Sequence, residues 1–296
     1  MPSPDADTIE VSTIEVSTAD RLFFSYGSNT GYRPAITALF APDGTRLTRD
    51  IGAVPEGSDD HPHHKGVWWG AVIGEADIWT ENQTSGSITS AGRPHLQELA
   101  DGSVRLEHEQ DWLVADGSRL LHDQRLLHAF PAAPDGSRIL DITSCMTPVA
   151  DPVTFIDTKE AGLISVRVLP SMEGRRGGRI TLSTGATGEE QSWGRSTIWC
   201  DYSGPTVPGG GPESWAGITV FDHPANPRPA YWHVRDYGLL TANPFGLATF
   251  TDDPDADGSM TLTPGVETVF RYRLLTHPGD HRAVDLQACH QAYADQ

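Results

Sequence analysis

The most chemically loaded stretch of the chain is "DDHPHHKGVWWG", residues 59–70. Asp59, Asp60, His61, His63, His64 and Lys65 fall within seven positions, and an apolar run follows at Val67, Trp68 and Trp69. Imidazole titrates near neutral pH, so such a group suits proton transfer, and neutral imidazole is also a metal ligand. In an extended chain alternate side chains share a face, which pairs His61 with His63 and turns His64 and Lys65 away unless the backbone bends. A second segment, "FIDTKEAGLISVRV", sets Asp157, Lys159 and Glu160 just ahead of a strand carrying Arg167. A glutamate beside a cation stays ionised and can act as a base. The third, "FDHPANPRPAYWHVRDYGLLTANPFG", places His223 after a strand and His233 two residues from Arg235, on one face with Tyr231. Asn243 in it precedes a proline, which restricts its backbone.

These residues predict an acid–base site. His63 and His233 are the expected acid and base, with Glu160 as the alternative base. Lys65, Arg167 and Arg235 are expected to stabilise developing negative charge, arginine as a bidentate donor. His61, His64, His223 and Asn243 complete the binding set by orienting hydroxyls. Aromatic rings at Trp68, Trp69, Trp79 and Trp232 could stack on the C–H face of a sugar. Most tryptophans are core, so only one or two, Trp69 among them, are expected at a ligand. A second arrangement of the same residues is a metal site built from His61, His63, Glu160 and His233.

The elements that must carry these groups read as strands. Asp-Gly occurs at 43–44, 101–102, 116–117, 135–136 and 257–258, each between runs rich in Val, Ile, Leu, Phe or Thr. That combination is a strong hairpin signal. The block from His95 to Val149 reads as a four-strand meander with one wet and one dry face. Short strands continue to about residue 277, and only "GDHRAVDLQACHQAYAD" reads as helix, with Asp280 as its N-cap. No βαβ alternation or nucleotide-binding motif is present. The expected fold is all-β: one large two-sheet antiparallel sandwich over residues 21–296 with a short C-terminal helix, preceded by a flexible or edge segment over 1–20. The Gly/Pro-rich stretch 203–215 is expected to be a long hairpin connection, with a lid as the alternative.

Composition removes several function classes. With 40 acidic and 21 basic residues the net charge is −19, which disfavours nucleic acid and anionic lipid as partners. Only two of the basic residues are lysines, Lys65 and Lys159, and both sit in the charged segments above. No apolar run is long enough to cross a bilayer, and the first residues lack the pattern of a signal peptide. Cys145, Cys200 and Cys289 are widely spaced, so a reduced cytoplasmic setting is expected.

The segments "RPAITALFAPDGTRLTRD", "DDHPHHKGVWWG", "DTKEAGLISVRV", "IWCDYSG" and the long "GITVFDHP…TANPFG" stretch together resemble the PmoA-like family, in order, from about residue 30 to 277. The resemblance implies a galactose-mutarotase-like β-supersandwich that binds carbohydrate on a concave sheet. The chain departs from aldose epimerases, lacking their Asn-x-His-x-Tyr-Phe-Asn segment and late glutamate. The expectation is a cytoplasmic enzyme acting on a sugar, oxidised sugar or glycoside by epimerisation, elimination or hydrolysis. A metal-dependent oxygenase or hydrolase and a non-catalytic carbohydrate-binding protein are the alternatives. The expected partner is a small carbohydrate, with no membrane or nucleic acid; a homodimer is allowed. No cofactor is expected, and a divalent metal belongs to the alternative.

Overall fold

The computed structural model describes residues 13–41, 43–51, 61–207 and 213–296. Asp59, Asp60 and positions 208–212 of the 203–215 connection lie outside these residues. Every strand pairing among the described residues is antiparallel, and three sheets result. The seven-stranded sheet runs, neighbour to neighbour, Thr13–Thr18, Arg21–Gly27, Ala35–Leu39, Val67–Gly70, Gly162–Arg167, Leu239–Asn243, Tyr231–Arg235. The nine-stranded sheet contains Arg179–Leu182, Trp199–Thr206, Ser214–Asp222, Thr268–Pro278 and the expected meander, which ends on Ser87–Ser90 and His95–Glu98. A four-stranded sheet of short strands, with Val153–Phe155 at its centre, completes the architecture. The expected two-sheet antiparallel sandwich with a short C-terminal helix is what the chain forms.

Turn chemistry explains the hairpins. In each of the segments Asp43–Thr45, Asp101–Ser103, Asp116–Ser118 and Asp135–Ser137, the aspartate Oδ1 accepts the backbone N–H two residues on, at 2.8–2.9 Å. The intervening glycines, Gly44, Gly102, Gly117 and Gly136, all have φ between 80° and 88°, a region that a Cβ penalises. At Asp257 the same bond forms to Ser259, but Gly258 is not at positive φ. There the glycine is required for space, since a Cβ would stand 2.6 Å from the Leu247 nitrogen.

Between the large sheets lies one apolar cluster. Val67, Trp69, Ile164, Val166, Trp232, Val234, Leu240 and Ala242 enter it from the seven-stranded sheet. Leu106, Leu127, Ile142, Val220 and Leu274 meet them from the nine-stranded sheet. Each such burial contributes roughly 1.5–3 kcal/mol. Strand alternation then fixes what faces the other way: Trp68, Ser165, Arg167, Thr241, Asn243, Tyr231, His233 and Arg235 lie on the outer face of the seven-stranded sheet. Trp199, Phe221 and Leu275, on the outer face of the nine-stranded sheet, are covered by the helix Leu286–Ala294.

That helix begins later than its sequence suggests. Its N-cap is Asp285, whose side chain accepts the Ala288 N–H at 3.0 Å, and not Asp280. Asp280 is instead paired with Arg282 and Arg179. Two further helices, Gly188–Ser192 and Leu247–Thr251, were not expected; each is a single turn without a periodic apolar face. Among the described residues no helix is long and apolar enough to cross a membrane. The three cysteines are free thiols.

Candidate functional site

On the outer face of the seven-stranded sheet the register aligns Trp68, Ser165, Thr241 and His233 in one row across four strands. The next row is Arg167, Leu239, Arg235. Above these rows the chain from His61 to His64 makes a tight turn, closed by the His64 N–H donating to the His61 carbonyl at 3.0 Å. His61 has φ 32°, the left-handed region, a strained conformation that surrounding contacts must hold. Arg49 supplies that hold: its Nη2 donates to the carbonyls of His61 and His64 at 2.8 and 2.6 Å.

The bend brings all three imidazoles together. Tyr237, His61, His64 and Trp68 stack in series, with centroids 5.0, 4.5 and 5.0 Å apart. His63 packs edge-on against His61 and His64. The expected separation of His64 from its neighbours, which assumed an extended chain, is therefore replaced by a cluster. Trp79 closes it from below, 5.9 Å from both His64 and Trp68.

Two hydrogen bonds assign protons. Arg167 Nη1 lies 3.2 Å from His64 Nδ1, and a guanidinium only donates, so Nδ1 accepts and the neutral ring carries its proton on Nε2. His233 Nδ1 lies 3.0 Å from the Lys159 carbonyl, which only accepts, so Nδ1 donates and Nε2 holds a lone pair. Burial pushes His233 down to about 3, with Arg235 and Lys159 adding to it. Burial likewise lowers His63 to about 4, helped by Arg33 and His61, and holds His64 well below its usual value. At neutral pH His63, His64 and His233 are thus uncharged, His64 poised to donate and His233 to accept.

Residues 13–291 match a family model described as a family of unknown function, DUF6807. The chain belongs to the DUF6807 family. This corrects the resemblance to the PmoA-like family, which the family match does not support. No curated protein matches. Among solved structures, similarity is found to a candidate aldose 1-epimerase from Klebsiella pneumoniae subsp. pneumoniae MGH 78578, at 11% identity and TM-score 0.48, covering 92% of this chain and 80% of that one. A 4-alpha-glucanotransferase from Thermococcus litoralis is similar at 8% identity and TM-score 0.29, over 92% of this chain and 38% of that one.

The remaining expected residues divide sharply. Glu160 is over one-third exposed, paired with Lys159, and close enough to Tyr237 to act on it electrostatically. His233 bonds the carbonyl of Lys159, the residue next to Glu160. The clustered imidazoles, Glu160 and the His233–Arg235 strand therefore adjoin on one face. Arg235 is bound to Glu189 at 2.8 Å and faces the ring of Trp193.

Four expectations fail. Trp69 points into the intersheet core, where its Nε1 donates to Gln110 Oε1 at 3.1 Å and the Arg125 guanidinium covers its ring at 4.1 Å; Trp68 takes the outer face instead. His223 lies at the end of a strand in the other large sheet, against Tyr293, and does not join the site. Lys65 is buried with its three ammonium protons used, on Glu81 at 2.9 Å and on the carbonyl and hydroxyl of Thr30 at 2.5 and 2.9 Å. Asn243 spends its amide on the Thr158 and Lys159 carbonyls and its oxygen on the Phe245 N–H, so it positions the 157–160 loop rather than a ligand. For the alternative metal set, no three His, Cys, Asp or Glu side chains among the described residues are gathered to hold an ion.

Sequence reasoning missed Arg49, Tyr237, Glu81, Glu173 and Glu189. Tyr237 had a local signal, since it sits in the "RDYG" turn two residues beyond Arg235, with Gly238 at φ 100°. Glu81, Glu173 and Glu189 carry no such signal; they become relevant only by pairing with Lys65, Arg167 and Arg235 in space.

Proposed function

We propose that this face is the active site of an enzyme that acts on a sugar or oxidised sugar by proton transfer between imidazoles. The observation that carries the reading is the pair of opposed tautomers, His64 with a proton on Nε2 and His233 with a lone pair there. A neutral imidazole whose lone pair is free accepts a proton from a hydroxyl or an acidified carbon; a neutral N–H donor stabilises charge on the oxygen produced. His63, half-buried beside the turn, is the second candidate proton carrier, and the partly exposed Glu160 is the alternative base. Half-buried Tyr237 offers an aromatic ring at the edge of the imidazole stack, suited to the C–H face of a pyranose. Arg167 acts through His64 as a positioning residue, fixing its tautomer.

The supporting experiment incubates the purified protein with simple, oxidised and glycosidic sugars in D2O and follows epimerisation, elimination, hydrolysis and solvent deuterium uptake by NMR. Turnover is expected for at least one sugar that raises the melting temperature. His233→Ala and His63→Ala should each reduce that turnover by roughly 10²–10⁴-fold, with Glu160→Ala tested alongside. Stabilisation by a sugar with no product after prolonged incubation would convert the reading to a binding protein. Unchanged turnover in all three variants would end it.

A further inference from the structure

A polar cavity, about 160 Å³ in volume, lies on the outer face of the nine-stranded sheet, across the core from the imidazole turn. Its floor is two adjacent cross-strand rows, Leu126–Thr143–Arg271 and His128–Asp141–Arg273. Tyr293 and Gln296 at the end of the C-terminal helix border it, and His223 stands at its side.

Charge within the cavity is unbalanced. Asp141 is fully engaged by Arg273, whose Nε and Nη2 donate to its two oxygens at 2.6 and 2.8 Å. That pair is neutral as a unit. Arg271 has no carboxylate: its guanidinium makes no hydrogen bond or ion pair among the described residues. Its backbone is clamped, with its N–H donating to Asn226 Oδ1 at 2.6 Å and its carbonyl accepting from Asn226 Nδ2 at 2.8 Å.

His223 supplies a second donor. It is 6% exposed, and its Nδ1 accepts the Ala225 N–H at 3.0 Å, which puts the proton of the neutral ring on Nε2. That buried Nε2 makes no hydrogen bond of normal geometry, and the nearest backbone acceptor is at Tyr293. Buried polar groups are normally satisfied, so the unmatched His223 Nε2, beside the half-buried Arg271 guanidinium, marks a place for an acceptor from outside the chain.

We propose that this cavity binds a compact oxyanion, a phosphate or a short-chain carboxylate, received by the Arg271 fork and the His223 Nε2 proton. Guanidinium matches both anion types bidentately. The volume suits a small anion and is below the range of sites for larger organic ligands.

Isothermal titration of the full chain with sodium phosphate, acetate and succinate, each against chloride at equal ionic strength, tests the assignment. Saturable 1:1 binding of at least one oxyanion is expected, and the tighter arm identifies phosphate or carboxylate as the natural class. Arg271→Gln and His223→Phe should each weaken it by about tenfold or more, while Arg271→Lys, which keeps the charge, should weaken it less than Arg271→Gln. Should Arg271→Gln not fold, His223→Phe and Arg271→Lys carry the test. His63→Ala, on the opposite face, should leave the affinity unchanged. Absence of saturable heat with all three anions, equal affinity in wild type and the cavity variants, or loss of binding in His63→Ala would overturn the proposal.

Discussion

The outer faces of the two large sheets both bury histidines, yet His277 on one is held in the opposite charge state from His64 and His233 on the other. On the seven-stranded sheet His233 meets a backbone carbonyl and His64 meets a guanidinium, and both are kept neutral. On the nine-stranded sheet His277 places Nε2 2.8 Å from Asp201 and Nδ1 3.1 Å from the Pro278 carbonyl, so both nitrogens face acceptors and the ring is held protonated. Its pKa is raised by Asp201 despite burial, which opposes the charge. Asp201 is in turn saturated by Ser203 and Thr219. Burial pushes each of these rings toward the neutral form; at His277 the Asp201 carboxylate overrides it, whereas His233 and His64 meet no carboxylate and stay neutral, able to exchange a proton.

The largest expected effect comes from removing that carboxylate. Asp201→Ala leaves His277 buried without its counter-ion and should cost about 3–5 kcal/mol in denaturant unfolding. A loss below about 1 kcal/mol would mean that the pair is not the buried contact described. Acid titration comes next. Because the folded-state values of His233 and His63 lie at about 3 and about 4, the unfolded chain binds more protons between those values and the ordinary 6.5. Stability should therefore fall as pH drops through 6.5, by up to about 1 kcal/mol per pH unit for a fully buried ring such as His233 and by less for the more exposed His63. His277 works in the other sense: its stabilisation is present below its unfolded value and is lost as pH rises through its raised folded value. The first dependence should shrink in His233→Phe and the second should vanish in Asp201→Asn; a pH profile identical in wild type and both variants would sink the contrast.

Arg167→Met should shift the His64 tautomer, readable from imidazole ¹⁵N NMR, at a stability cost of about 1–3 kcal/mol. An unchanged tautomer would remove Arg167 from its positioning role. The smallest effect is expected at Trp69. Replacing it by Phe deletes the bond to Gln110 and should cost about 1 kcal/mol, while leaving any thermal shift produced by sugars intact; altered sugar response would place that side chain nearer the ligand than the core position described.

Periodicity made much of the scaffold legible in advance. The meander could be read because every second residue of Val104–Leu113 is buried, and its turns because Asp-Gly-Ser satisfies the local backbone by itself. The site was only half legible. His61, His63, His64, Glu160 and His233 were identifiable as residue types, but the sequence did not show which of the adjacent Trp68 and Trp69 faces outward, and the expectation fell on Trp69. A one-residue difference in phase exchanges the two faces of a strand. His223 failed for another reason: its segment is continuous with His233 in sequence, but a loop carries the chain between them from one sheet to the other.

What the amino-acid sequence determined by itself is therefore local: alternating burial, Asx-Gly turns, an acidic surface and a stock of ionisable side chains. Tertiary structure alone decided which of those side chains meet. Arg49 across the His61–His64 turn, Arg167 on His64, and the Lys159 carbonyl on His233 are contacts between distant segments, and the proton positions of the imidazoles follow from them. A histidine's residue type supplies its ordinary pKa; the direction of its hydrogen bonds, which only the folded chain supplies, determines whether it can give or take a proton.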